Sequence, residues 1–84
     1  MTGPELVRQC NAAWPEREWA ISTRDTSAKR GVYTAKSKEL PAVHVKVTPQ
    51  HTWAVLTDSG AYCEGESVAS AIAELRDDPW AVTP

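Results

Sequence analysis

The sequence has no phenylalanine, one methionine and only four glycines among its 84 residues. No apolar run approaches the roughly 20 residues that a membrane-spanning helix needs. The amino terminus lacks the basic start and apolar core of a signal peptide. We therefore expect a cytoplasmic protein that makes no membrane contact.

Motifs that define a reaction are also missing. Neither Gly-x-x-x-x-Gly-Lys nor Gly-x-Gly-x-x-Gly occurs, so no phosphate-cradling loop is indicated. Ser59, Asp58 and either His44 or His51 supply the residue types of a catalytic triad, but no strained nucleophile turn surrounds the serine. The cysteines and histidines, at positions 10, 44, 51 and 63, lack paired metal-ligand spacing. We predict that the protein is not an enzyme and has no metal or cofactor.

The two cysteines are too few for a disulfide framework. Cys10 and Cys63 both fall on predicted apolar faces, and small buried thiols are common in cores. We interpret them as reduced core residues. If they were oxidised, the bond would join the first helix to the sheet.

Two segments have helical periodicity. In the first, residues 4–14, an apolar stripe follows a capping box formed by Thr2 and Glu5. In the second, residues 68–77, the stripe follows Ser67, a suitable N-cap, and Ala69 and Ala73 are expected to widen it. The stripe residues are Leu6, Val7, Cys10, Ala13 and Trp14 in the first helix, and Val68, Ala71, Ile72 and Leu75 in the second.

Alternation of apolar and polar residues predicts four or five strands between these helices. They cover residues 18–25, 32–35, 42–47, 52–57 and 61–64. Short connections make consecutive strands antiparallel neighbours, and each helix must bury its single stripe on the sheet. We predict one α+β domain over residues 1–84, with a flexible tail from about 79 to 84. It is a two-layer sandwich in which both helices cover one face of an antiparallel meander. The opposite face is expected to be wet or available to a partner, and it would carry Ala20, Ser22, Arg24, His44 and Lys46.

Charge is unevenly distributed although the whole chain carries only −2. Residues 17–46 include seven basic and three acidic side chains, whereas residues 47–84 include one basic and six acidic side chains. The basic segment could follow a phosphate backbone or an acidic protein surface, and the acidic end could meet a basic partner or imitate nucleic acid. Both could equally be solvated faces. Asp77 and Asp78 stand where a helix dipole disfavours anions, so they either cap the following loop or serve a basic partner.

The order of helix, strands and helix resembles the double-stranded RNA-binding domain, whose second helix also begins after a glycine turn. Here the corresponding stretch, Gly65-Glu66-Ser67-Val68-Ala69-Ser70, lacks the lysines that hold phosphate in that family. We assign the chain to no family.

Three hypotheses about function follow. The first is a small protein-binding module, such as an accessory or inhibitor protein of a bacterium or phage, that uses its charged surfaces and Trp80. The second is nucleic-acid binding through the basic segment, with Tyr33 stacking on a base. The third is a homodimer that pairs edge strands. The predicted partner-binding residues are Arg24, Lys29, Arg30, Lys36, Lys38, His44, Lys46, Asp77, Asp78 and Trp80.

Overall fold

The computed structural model describes residues 2–39, 42–56 and 61–77. The elements in these ranges are α1 (Gly3–Ala13), β1 (Trp19–Ile21), β2 (Tyr33–Ser37), β3 (Val43–Val47), β4 (Thr52–Leu56), β5 (Ala61–Gly65) and α2 (Val68–Asp77). The strands form one antiparallel sheet in the order β1-β2-β3-β4-β5, and both helices pack on the same face of it. The predicted α+β sandwich built on a meander is therefore confirmed.

The core lies between the helices and this inner face of the sheet. Leu6 of α1, Ile72 of α2 and both Val43 and Val45 of β3 are fully buried. Their burial follows from the two periodicities, because residues spaced three or four apart share one face of a helix and alternate residues share one face of a strand. The predicted stripes hold, but Ala69 and Ala73 are exposed and do not belong to the buried side of α2.

Side-chain caps explain where both helices begin. The hydroxyl of Thr2 accepts a hydrogen bond from the N–H of Glu5 at 3.3 Å, and that of Ser67 accepts one from the N–H of Ser70 at 3.1 Å. Each bond satisfies a donor that has no partner inside the helix.

The carboxyl end of α1 is closed by a residue from α2. The guanidinium group of Arg76 donates to the carbonyl oxygen of Ala13 at 3.1 Å and lies 5.1 Å from the ring centroid of Trp14. Arg17 also lies over this ring, at 4.5 Å. Cations over an indole face are attracted by its quadrupole, so Trp14 fastens the last turns of the two helices together.

The predicted strand over residues 18–25 is too long, because β1 ends at Ile21 and a short 3₁₀ helix, Thr23–Asp25, follows. The hydroxyl of Ser22 donates to the Asp25 carboxylate at 3.0 Å, and that of Thr26 donates to the Ser22 carbonyl at 2.8 Å. Such local hydrogen bonds compete with sheet pairing. A second 3₁₀ helix, Ala28–Arg30, lies between this one and β2.

Two close contacts hold β2 and α2 in place. The buried hydroxyl of Ser37 accepts hydrogen bonds from the N–H of Val43 at 2.8 Å and from Arg17 Nη1 at 3.1 Å. At Gly65, a Cβ atom would lie only 2.5 Å from the backbone nitrogen of Ala71. Glycine at this position therefore allows α2 to sit close to the end of β5.

Candidate binding surface

The face of the sheet opposite the helices carries two rows of side chains that run across the strands. We call this surface the open face. In the first row, Lys36 of β2 pairs with His44 of β3, His44 with Val55 of β4, and Val55 with Tyr62 of β5. Directly paired residues point to the same side of an antiparallel sheet. The row therefore has a basic side chain, Lys36, at one end and an aromatic ring, Tyr62, at the other.

The second row lies beside the first on alternate positions of the same strands. Thr34 pairs with Lys46, Lys46 with Trp53, and Trp53 with Glu64. His51, two residues before Trp53, contributes to the same face because side chains alternate along a strand. Both rows therefore place their aromatic ring on β4 or β5 and a lysine on β2 or β3.

The turn between β3 and β4 determines which side of β4 faces outward. The hydroxyl of Thr48 accepts hydrogen bonds from the N–H groups of Gln50 and His51, at 3.3 and 3.0 Å, and the Thr48 N–H donates to the His51 carbonyl at 2.8 Å. This turn pairs Val47 with Thr52, and two residues further along Ala54 pairs with the buried Val45 and faces the core. Since the register of a hairpin follows its turn, Trp53 must face outward.

Tyr62 is the one exposed large hydrophobic residue in the described ranges, at 53% exposure. Trp53 is half-buried and has two polar neighbours. Lys46 Nζ lies 5.9 Å from its ring centroid, and the His51 ring lies 6.1 Å away at a 58° tilt. His51 is in turn held by Glu64, with 2.9 Å between Nδ1 and Oε1.

Two shallow depressions lie side by side on the open face. The first, of about 440 Å³, is bordered by Ala20, Ile21, Ser22, Thr23, Arg24, Lys36 and Lys38. The second, of about 400 Å³, is bordered by Asp25, Thr34, His44, Lys46, Trp53 and Val55. The first holds three cations and no carboxylate, whereas the second combines the carboxylate of Asp25 with cationic, imidazole and apolar groups.

Several cations of the open face make no salt bridge with any residue that the structure describes. Within residues 2–39, 42–56 and 61–77, Arg24, Lys36 and Lys46 make no salt bridge, and Lys38 Nζ is a long 3.9 Å from a Glu18 oxygen. The two carboxylates of this surface already have partners, since Asp25 accepts the Ser22 hydroxyl and Glu64 contacts His51. An anion reaching the first depression would meet Arg24 and Lys36, the two of its three cations that make no salt bridge with the described residues.

The other predicted partner-binding residues lie elsewhere. Lys29 and Arg30 are exposed in the second 3₁₀ helix and border neither depression. Asp77 is exposed at the end of α2, on the helix side of the sheet. Asp78, Trp80 and the predicted tail lie outside the described residues. Tyr33, expected to stack on a base, packs against the core instead.

Trp53 and Tyr62 are the aromatic residues of this surface, and the sequence pattern did not assign them to it. In β4, Thr52 and Ala54 alternate with Trp53 and Val55, so hydrophobicity alone favours burying the larger pair. The signal that could have identified them is the four-residue turn, Thr48 to His51, combined with the valine face of β3. Counting outward from Val47 across that turn places Trp53 opposite Lys46.

Among the residues that the structure describes, the pKa values of Glu39 and Cys10 are shifted, and each shift has a structural cause. The Glu39 carboxylate accepts the N–H of Glu18 through both oxygens, at 2.8 and 3.0 Å, which lowers the pKa of Glu39. Burial raises the pKa of the Cys10 thiol to about 12. A thiol with such a pKa has almost no thiolate at neutral pH, so Cys10 is a packing residue rather than a nucleophile.

Neither Cys10 nor Cys63 forms a disulfide bond. Among residues 2–39, 42–56 and 61–77, no group of three or more His, Cys, Asp or Glu side chains is placed to hold a metal ion. No helix in those ranges has the length and apolar character to cross a membrane. Ser59 and Asp58, the other members of the considered triad, lie outside the described residues.

Comparisons with protein-family models, with curated proteins and with solved structures found no match for this chain. The interpretation of the open face therefore rests on its own geometry and charge.

Proposed function

We propose that this chain is a non-enzymatic binding module that holds an anionic partner on the open face of its sheet. The observation that supports this most is the first depression, where Arg24 and Lys36 stand without salt bridges in the described part of the chain. The half-exposed rings of Trp53 and Tyr62 lie on the same face. Apolar or aromatic centres with a polar rim are typical of binding surfaces.

Two kinds of partner have this chemistry. One is an acidic segment of another protein, in keeping with the protein-binding hypothesis from the sequence. The other is nucleic acid, in keeping with the hypothesis based on the basic segment.

The acidic residue Asp77 offers a separate contact on the helix side, for a basic partner. A homodimer through the edge strands β1 and β5 is a further prediction, which a sizing column tests.

We also propose that the chain is an accessory or inhibitor protein that acts in the cytoplasm of a bacterium or of a cell infected by phage. Neither Cys10 nor Cys63 forms a disulfide bond, which supports a reducing compartment because oxidising compartments favour disulfides.

Charge reversal at two matched pairs of residues tests the proposal. The variant Lys36→Glu plus Lys46→Glu changes the open face, and the variant Lys29→Glu plus Arg30→Glu changes the neighbouring 3₁₀ helix by the same charge. Both are loaded on a heparin column at low salt, because heparin is a dense polyanion. We expect the first variant to elute at clearly lower salt than the wild type and the second to elute close to it.

Equal elution of the two variants would show that net charge alone governs retention, and it would remove the open face from the proposal. Circular dichroism of each variant verifies that its fold is intact. Because all four residues are exposed or only half-buried, neither variant should unfold the chain.

A further inference from the structure

We propose that the anionic partner is a single strand of nucleic acid that lies across β2 to β5. Its phosphates would face the cations near β2, and its bases would stack on Tyr62 and Trp53. This inference rests on the proposed function, since it names the chemical class of the partner held by the same face.

The dimensions of the two rows suit a short run of nucleotides. Neighbouring strands are about 4.8 Å apart, so three spacings place Tyr62 roughly 14 Å from Lys36. Sheet surfaces of comparable width in RNA-binding domains stack about two or three bases on aromatic side chains. The open face offers two aromatic side chains in adjacent rows, with Trp53 one strand closer to the lysines than Tyr62.

Exposed rings distinguish nucleic acid from an acidic peptide. A carboxylate-rich segment needs only the cations, whereas bases also need flat apolar surfaces. Tyr62 is 53% exposed and makes no ring contact within the described part of the chain. Stacking of one base on such a ring strengthens binding roughly 5- to 140-fold, the equivalent of about 1–3 kcal/mol.

A single strand suits this face better than a duplex. Bases in a duplex are stacked on each other, so the rings of Trp53 and Tyr62 would have no free base surface to contact. The cations Arg24, Lys36, Lys38 and Lys46 would supply about four phosphate contacts. For a single strand, four contacts give a slope of about −3 for the logarithm of the binding constant against the logarithm of salt concentration.

Fluorescence anisotropy with a labelled oligothymidylate of about 16 nucleotides tests the inference, since sites on comparable sheets reach that size. We expect salt-dependent binding of the wild type with the slope given above. Tyr62→Ala should weaken binding roughly 5- to 140-fold without changing the slope. Lys36→Gln should make the slope shallower by about 0.7. The matched control Lys29→Gln, outside the depressions, should leave both quantities close to the wild-type values.

Two competitors separate failure of this inference from failure of the proposed function. A duplex of the same length should compete poorly, and so should polyglutamate. If polyglutamate binds the open face as well as the oligonucleotide does, and Tyr62→Ala has no effect, the partner is an acidic protein segment and the inference is overturned. If neither polymer binds at low salt and the charge-reversal variants elute alike from heparin, the proposed function fails as well. Thermal unfolding of Tyr62→Ala and Lys36→Gln verifies that lost binding is not lost folding.

Discussion

Replacing Gly65 by alanine should force α2 away from the sheet. The new Cβ atom would lie 2.5 Å from the Ala71 nitrogen and 3.0 Å from its Cα, whereas ordinary contact begins at 3.4 Å. The Ser70 hydroxyl, at 2.9 Å, can rotate away, but the nearest obstructing atom is the backbone nitrogen of Ala71. The first turn of the helix must therefore shift by about 1 Å. Overpacking of this kind typically destabilises a protein by about 1–3 kcal/mol.

The alanine also stiffens the unfolded chain, which offsets about 0.4–1 kcal/mol of that loss. Since the close contact at Gly65 is with backbone, we expect a net loss near the upper end, about 2 kcal/mol. For a domain of this size, 1 kcal/mol corresponds to roughly 4–8 °C in Tm, so the expected fall is roughly 8–16 °C. Thermal unfolding followed by circular dichroism at about 222 nm, where the signal reports helix content, measures this fall in Tm.

Gly3→Ala is the matched control for this experiment. Its Cβ atom would meet Cγ1 and Cδ1 of Ile21 at 3.2 and 3.4 Å, so the neighbouring atoms belong to a side chain rather than to backbone. Alanine is also the better helix former, by up to about 1 kcal/mol. We expect an unchanged or higher Tm. A Gly65→Ala chain that melts within about 2 °C of the wild type, or a Gly3→Ala chain that falls equally far, would refute the reasoning.

Three further outcomes are expected. Ser37→Ala leaves the buried N–H of Val43 without its acceptor and should cost about 1–3 kcal/mol in urea unfolding, and an unchanged midpoint would contradict this. The lowered pKa of Glu39 means that its contact stabilises the fold above the ordinary carboxyl pKa of 4.5 and that this contribution is lost as pH falls through the lowered value. Urea midpoints of Glu39→Gln should therefore depend less on acid pH than those of the wild type, and identical profiles would count against the contact. Alkylation followed by mass spectrometry should modify Cys63 before Cys10, because the pKa of Cys10 is raised to about 12, and equal rates would show that Cys10 is accessible.

The parts of the fold that the sequence predicted well are those where several local signals agree. In α2, the Ser67 cap and the stripe through Ile72 and Leu75 indicate the same helix, and its bounds match those predicted. In β3, three valines alternate with polar residues, which indicates a half-buried strand.

The errors arise where hydrogen bonds or strand register override the alternation of apolar and polar residues. The alternation over residues 18–25 satisfies a strand template, but hydrogen bonds from Ser22 and Thr26 end β1 early. The outward position of Trp53 depends on the register set by the turn before it and on the small Ala54 that faces α2. The basic half of the candidate surface was therefore predictable from composition, and its aromatic half was not.

The bond from Arg76 to Ala13 joins residues 63 positions apart in the chain. Because α1 precedes α2 in the chain, the last turn of α1 cannot be closed by Arg76 until the α2 segment has been synthesised. We expect α1 to be held only loosely until α2 folds against it.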